Sequence, residues 1–256
     1  MTTVNDILEL MEALAPQSLK MEWDNAGLIC GSKQTPVTKI LVALDPFEHV
    51  CQEAADWGAQ LIVTHHPLIF HAQRSVTDSS ALGRSILTLC RHGISAINAH
   101  TNLDQVSGGV NDIFAQVLGL ENIETIQENG MQLLRCGDVP EQSLVSFLAA
   151  VKERLHCEGL RYCDGGKPVR KVAVGGGTCG EFLYDVQRAG CDTFVTADVK
   201  YNQFWDARDV GLNIIDAGHF CTENPVCTYL AEKIRAAFPD VEVKISETHA
   251  DCIKYY

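Results

Sequence analysis

The chain has 256 residues, of which 46% are hydrophobic, enough to form the core of one large or two small globular domains. This composition excludes an intrinsically disordered or collagen-like protein. With 33 acidic and 20 basic residues the formal net charge is −13, which argues against a general binder of nucleic-acid phosphate backbones.

The cysteines and the amino terminus indicate the cellular compartment. The chain has 11 cysteines, and their spacing contains no C-x-x-C pair. The first residues carry acidic side chains where a secretory signal needs a positive start. No apolar run approaches the roughly 20 residues that a membrane-spanning helix requires. We therefore expect reduced thiols, a cytoplasmic location and no membrane attachment.

The amino-terminal part predicts alternating helices and strands. Apolar residues at helical spacing predict an amphipathic helix over Val4–Leu14. A buried strand follows at residues 39–45, and Asp45 is interpreted as the N-cap of the next helix. Gly58 ends that helix, and the segment 61–66 predicts another short buried strand.

The sequence also contains an internal repeat. Residues 39–66 align without a gap on residues 171–198, and strand, helix, glycine and strand keep their register. Further along each copy, a predicted strand ends in a histidine that is followed by an acid at i+4. His100 with Asp104 therefore mirrors His219 with Glu223.

These patterns predict an α/β fold of two intertwined, repeat-related α/β units with largely parallel sheets. The first unit is expected at residues 1–120 and the second at residues 169–256. Residues 121–168 form a connecting β-α-β segment, interpreted as a packing or assembly surface.

Histidines and acids gather at the predicted strand ends, where ligands of α/β folds bind. Their side chains suit zinc, iron, manganese, cobalt or nickel. Five candidates are too many for one open zinc site and suit two divalent metal ions per chain that share a carboxylate. The predicted ligands are His65, His66, Asp104, His219 and Glu223.

Three further features leave alternatives open. His100 is either a ligand, by analogy with His219, or a residue that orients a ligand or carries a proton. Asp198 stands at the repeat position of His66 and either orients a ligand or caps the following helix. The loop 175–180 formally matches G-x-G-x-x-G and is interpreted as a tight turn whose backbone N–H groups can also receive a substrate phosphate.

Six motifs occur in an order that is specific to one known family. They are WDNAGLICG, IVTHHPLIF, AHTNLD, GGGTCGEF, DTFVTADVKY and DAGHFCTE. With them, nearly the whole chain resembles the NIF-three-like dinuclear metal proteins. Members of that family are commonly called homologues of type 2 GTP cyclohydrolase I.

The resemblance implies a two-metal site on the five predicted ligands and a metal centre between the two repeat units. It also implies a ring-shaped homohexamer whose sites face an inner cavity. Some relatives carry an extra domain between the halves, and the segment 121–168 is too short to contain one.

The function expected from the resemblance is metal-dependent hydrolysis of GTP. A metal-activated water would open the imidazole ring of guanine, with His100 as proton shuttle. Two alternatives stay open. One is a two-metal hydrolase that acts on another phosphorylated or cyclic amide substrate, and the other is a non-catalytic protein that handles metal or regulates a partner.

Overall fold

The computed structural model describes residues 1–128 and 131–256, and helices alternate with strands along these ranges. The strands are β1 Gly27–Cys30, β2 Lys39–Ala43, β3 Leu61–Thr64, β4 Ser95–Asn98, β5 Glu121–Glu128, β6 Met131–Gln142, β7 Arg161–Cys163, β8 Val169–Val174, β9 Thr193–Thr196, β10 Asn213–Asp216 and β11 Glu242–Ile245.

The predicted first helix is confirmed, and it ends before Pro16. The α-helices are α1 Val4–Leu14, α2 Glu48–Trp57, α3 Ala81–His92, α4 Thr101–Gln105, α5 Val110–Val117, α6 Leu144–Arg154, α7 Leu183–Arg188, α8 Tyr201–Asp209, α9 His219–Glu223 and α10 Pro225–Ala237. Within the described ranges, none of these helices combines the length and the apolar character that crossing a membrane requires.

The chain folds into two compact units that are not continuous in sequence. The first consists of Met1–Val106 and Val226–Ala250, and the second of Ser107–Pro225 and Asp251–Tyr256. The chain therefore returns to the first unit after completing most of the second, in keeping with the predicted intertwined α/β fold. The boundaries predicted at residues 120 and 168 divide the chain by its sequence repeat and not by its compact units. They stay a prediction.

The first unit is built on a sheet with the strand order β1-β4-β3-β2-β11. Strands β11, β2, β3 and β4 run parallel, and β1 pairs antiparallel with β4. Every residue of β3 and β4 is buried, as is typical of parallel strands that are covered on both faces. Because β3 and β4 are parallel neighbours, the residues that follow them lie at the same edge of the sheet.

The second unit contains a sheet with the order β5-β6-β8-β9-β10-β7. Only β8, β9 and β10 are parallel, whereas β5, β6 and β7 pair antiparallel. The prediction of largely parallel sheets is therefore wrong for β5, β6 and β7, which are half of the strands in the second sheet. The antiparallel strands come from the connecting segment, where neighbouring strands need no crossover helix.

Matching hydrogen bonds within the two units are in keeping with the internal repeat. Lys39 Nζ donates to the carbonyl of Trp57 at the end of α2 (3.3 Å). The equivalent Lys171 Nζ donates to the carbonyl of Ala189 at the end of α7 (3.0 Å). Both helices are then closed by a glycine of positive φ, at 74° and 77°. The repeat thus extends from the sequence to individual contacts.

Glu53 on α2 holds the segment that follows β11. Its carboxylate accepts hydrogen bonds from Ser246 Oγ (2.5 Å), the backbone N–H of Glu247 (3.1 Å) and Thr248 Oγ1 (2.7 Å). Burial favours the neutral acid, but these donors outweigh it and lower the pKa of Glu53 to about 2. The ionised carboxylate therefore stabilises the folded state.

We expect Glu53→Gln to lower the free energy of unfolding at pH 7 by about 1 to 3 kcal/mol, because the variant lacks the charge that these donors bind. Since folding lowers the pKa of Glu53, its contribution is present above the unfolded value and is lost as the pH falls toward the folded value. The difference from wild type, measured by denaturant unfolding, should therefore shrink by more than half at pH 3. Glu242→Gln, at an exposed position, is the control. A pH-independent difference would contradict the assignment.

Candidate metal centre

The first unit brings together four of the predicted site residues. His65 and His66 directly follow β3, His100 is the N-cap of α4, and Asp104 lies on α4. The ring centroid of His65 lies 4.8 Å from that of His66 and 5.2 Å from that of His100. One ring nitrogen from each histidine lies within 4.8 Å of the other two, a spacing that suits a shared metal ion.

The ring orientation of each of these histidines is fixed through Nδ1. His65 Nδ1 donates to a backbone carbonyl just beyond β4 (2.9 Å). His66 donates to Asp45 Oδ1 and His100 to Asp24 Oδ1, both at 2.7 Å. A neutral imidazole that donates through Nδ1 carries its lone pair on Nε2, the nitrogen with which it binds a metal. The local hydrogen bonds thus select the tautomer that a metal requires.

The spacing of donor atoms in the first unit also fits a metal. His65 Nε2 lies 3.6 Å from Asp104 Oδ1. Two ligands that each lie about 2.0 to 2.2 Å from one tetrahedral or octahedral ion are roughly 3.0 to 3.6 Å apart. The pair is therefore compatible with joint coordination of one ion.

The second unit places His219 and Glu223 one turn apart on α9. His219 Nε2 lies 3.1 Å from Glu223 Oε2. His219 Nδ1 donates to Asp198 Oδ2 (2.7 Å), which also accepts from Thr178 Oγ1. The N-cap of α8 is Lys200, so of the two roles left open for Asp198, orienting a histidine is the one adopted.

The charges around His219 favour a bound cation. Burial lowers the pKa of this imidazole, but the carboxylates of Asp198 and Glu223 outweigh burial and raise the pKa to about 11. The same two carboxylates would attract a divalent ion, and an ion that binds Nε2 competes with a proton at that atom.

The glycine loop lets the two candidate ligands of the second unit, His219 and Glu223, lie close to its backbone. Gly177 has a φ of +61°, and a Cβ added there would lie 2.3 Å from Glu223 Oε1 and 3.0 Å from His219 Nε2. No side chain can occupy that space without displacing the ligand atoms. The local turn therefore needs glycine both for its backbone conformation and for this close approach.

The phosphate-binding role expected for this loop is not supported by its contacts. The backbone N–H of Gly176 donates to Asn111 Oδ1 (2.7 Å) and that of Gly177 to Thr222 Oγ1 (3.1 Å). The N–H of Gly175 donates to the carbonyl of Val195. These donors are thus engaged inside the unit, and the tight-turn interpretation is the one that holds.

Sequence reasoning missed two of the three acids that orient the histidines, Asp45 and Asp24. Asp45 was interpreted as an N-cap, but α2 begins at Glu48 with Phe47 as its N-cap. The carboxylate of Asp45 instead accepts from His66 at Oδ1 and from His249 Nε2 at Oδ2 (2.9 Å). The sequence signal was the acid that ends a predicted strand, whereas His249 has no local signal because the fold brings it from the carboxy-terminal segment.

Asp24 has the same role for His100. Its Oδ1 accepts from His100 Nδ1, and its Oδ2 accepts from the backbone N–H of Thr101 (3.1 Å) and from the Thr101 hydroxyl (2.5 Å). Burial raises the pKa of both Asp24 and Asp45, but their hydrogen bonds outweigh it and hold each pKa well below its usual range. Both acids therefore stay ionised at neutral pH.

A family model described as Duf34/NIF3 (NGG1p interacting factor 3) matches residues 2–252. The chain belongs to the NIF3 family. Among relatives of this NIF3 chain, a protein of Clostridium perfringens named GTP cyclohydrolase 1 type 2 homolog is 35% identical, and the match covers 98% of this chain and 99% of the relative.

Solved structures agree with this membership. Staphylococcus aureus protein SA1388 matches with a TM-score of 0.91 and 27% identity, over 100% of this chain and 99% of that one. Reduced HcgD from Methanocaldococcus jannaschii matches with a TM-score of 0.81 and 27% identity, over 96% and 98% of the two chains. The predicted resemblance and fold class are confirmed for this NIF3 protein.

The close approach at Gly177 gives the first prediction for the site of this NIF3 chain. In Gly177→Ala, the new methyl group displaces Glu223 and His219, so we expect loss of bound metal, measured by elemental analysis after gel filtration. Gly190→Ala is the matched control, because Gly190 also has a positive φ but open space around it. Both variants should lose about 1 to 2 kcal/mol of stability from left-handed backbone strain. Equal metal content in the two variants would refute the steric argument.

The hydrogen bond from His249 to Asp45 gives a second prediction. His249→Ala removes this hydrogen bond, so Asp45 is held less firmly. His66, which donates to Asp45, is then also less firmly oriented. We expect metal affinity to fall by about 10- to 100-fold. Competition with a chelator of known affinity measures the loss. His92→Ala, an exposed histidine at the end of α3, should retain wild-type affinity, and an unchanged affinity of His249→Ala would exclude the positioning role.

Proposed function

We propose that the chain is a metal-dependent hydrolase of the GTP cyclohydrolase type, with two divalent ions held by the five predicted ligands. The observation that carries the proposal is the state of the histidines. His65, His66 and His219 each donate through Nδ1 to a backbone carbonyl or a carboxylate, so that Nε2 is the metal-binding atom. Asp104 and Glu223 are the proposed carboxylate ligands.

The relatives support the choice of reaction. Proteins of Clostridium perfringens and Clostridium acetobutylicum that are 35% and 31% identical to the chain carry the name GTP cyclohydrolase 1 type 2 homolog. In that reaction water adds to C8 of guanine, a ring C–N bond breaks, and a second water releases formate. The other substrates compatible with the same residues are further cyclic amides and phosphorylated small molecules.

Two ions bound by these ligands would supply an acidified water and Lewis-acid stabilisation of developing negative charge. The chain itself supplies a proton carrier. His100 lies beside His65 and His66, and Asp24 fixes its Nδ1–H, so Nε2 is the atom that accepts or returns a proton. The ionised Asp24 also stabilises the imidazolium that forms. The same hydrogen bond would also suit ligation, and we assign proton transfer to His100 because the other five residues already supply the ligands of the two ions.

We also propose a cytoplasmic homohexamer, the assembly that the family resemblance implies. The sequence has an odd number of cysteines, 11, and no C-x-x-C pair, which supports a reducing compartment. Light scattering on the purified chain measures the number of copies.

The deciding experiment is elemental analysis of protein purified without chelator or affinity metal. We expect two ions per chain in wild type and in the control Glu181→Ala, an exposed acid of the second unit. Glu223→Ala should hold one ion or none. One ion or fewer in wild type, unchanged in Glu223→Ala, would refute the two-metal site.

A measurement of GTP turnover then distinguishes an enzyme from a non-catalytic metal carrier. We expect GTP hydrolysis, followed by formate release, to be lost in His65→Ala and Glu223→Ala. Turnover that survives both substitutions would refute the proposed active site. Two ions that exchange rapidly, with no hydrolysis of GTP or of a substrate panel, would instead favour non-catalytic metal handling.

A further inference from the structure

Trp23 is an exposed indole within a segment that is otherwise anchored. It opens the W-D-N motif, whose Asp24 is buried and bound to His100 and Thr101. Asn25 Nδ2 donates to the carbonyl of Ile69 (2.7 Å). The indole itself is 61% exposed. Two residues of the motif thus have structural partners, whereas the largest side chain faces solvent.

A second exposed ring stands beside it. Phe70 is 44% exposed, and its ring centroid lies 5.6 Å from that of Trp23 with the planes tilted by 53°. Both rings also meet His100, at 6.0 Å from Trp23 and 6.2 Å from Phe70, in edge arrangements. We call Trp23, Phe70 and His100 the aromatic corner. The hydrogen bond from Asn25 to the carbonyl of Ile69 joins the segment that carries Trp23 to the segment that carries Phe70.

We propose that the aromatic corner binds the flat heteroaromatic ring of the substrate, a purine base. This inference rests on the proposed function, because it names the part of the substrate that the site recognises. Two tilted aromatic faces favour a planar ring, which stacks on one face and presents its edge to the other. Stacking of this kind accepts any base, because every base has a π-face.

The position of the corner favours a substrate ring over a protein partner. His100 is shared between the corner and the histidine group, and its ring centroid lies 5.2 Å from that of His65 and 5.4 Å from that of His66. A ring stacked on Trp23 or Phe70 therefore lies next to the candidate metal ligands and the proposed proton carrier.

The test is nucleotide binding to the full, metal-loaded chain, measured by calorimetry with guanosine monophosphate and with ribose 5-phosphate as the probe without a base. We expect Trp23→Ala to weaken binding of guanosine monophosphate by about 5- to 100-fold. Trp23→Phe, which keeps an aromatic face, should restore most of that loss. Trp205→Ala, at an exposed tryptophan of α8, is the matched control and should bind like wild type.

Binding of ribose 5-phosphate should be the same in all four proteins, because it has no ring to stack. Equal affinity of wild type and Trp23→Ala for guanosine monophosphate would overturn the proposal, as would absence of nucleotide binding in wild type. Loss of metal in Trp23→Ala would make the indole a structural residue. A smaller assembly by light scattering would make the corner a contact between copies, and either result also overturns the proposal.

The same experiment separates the corner from the proposed reaction. Trp23-dependent binding without GTP hydrolysis would leave the corner in place and refute the hydrolase. GTP hydrolysis whose KM and kcat are both unchanged in Trp23→Ala would retain the hydrolase and refute the corner. When both proposals hold, Trp23→Ala raises KM with a smaller effect on kcat.

Discussion

A hydrogen bond at Nδ1 governs the chemistry of each candidate histidine. His66, His100 and His219 bond to Asp45, Asp24 and Asp198. Each bond fixes the ring plane and leaves Nε2 as the basic nitrogen. The aspartates must stay ionised for this purpose, and burial opposes ionisation. Their additional donors, such as Thr178 for Asp198, offset that cost, so the surrounding hydrogen bonds are part of the metal chemistry.

The candidate metal-binding histidines and the aspartates that orient them lie at different positions in the two copies of the repeat. Position 66 of the first copy is a histidine and a candidate ligand, whereas the equivalent position of the second copy is Asp198, which accepts a hydrogen bond from His219 instead. The glycine at 177 stands where the first copy has Asp45. Aspartate and histidine thus occupy different positions of the repeat in the two copies. In both copies these residues follow the ends of equivalent strands. Each unit thus contains a complete His–Asp pair, with the two residue types at different positions of the repeat.

Much of this could be predicted from the sequence because the decisive patterns are local. The apolar spacing of α1, the glycine ends of the repeated helices and the His-x-x-x-acid motifs each depend on neighbouring residues. Asp45 shows where local reasoning fails. An aspartate before a proline is typical of a helix start, but its partner His249 lies in a distant segment that no local pattern indicates.

The predictions of strand direction in the second sheet and of phosphate binding by the glycine loop failed for related reasons. Strand direction in the second sheet depends on which strands pair, and β6 pairs with both β5 and β8. The loop 175–180 has the sequence of a phosphate-binding turn, but the side chains of Asn111 and Thr222 occupy its donors. Both outcomes depend on partners supplied by the tertiary fold.

The pairing of β11 with β2 has a consequence for synthesis of the chain. Most of the second unit is translated between these two strands, so the edge of β2 has no β11 beside it until the carboxy-terminal segment leaves the ribosome. Long-range pairing of this kind is slow to form, and an open strand edge favours aggregation. The same late segment brings His249 to Asp45. The first unit therefore completes its sheet and the contact between Asp45 and His249 only after most of the second unit has been translated.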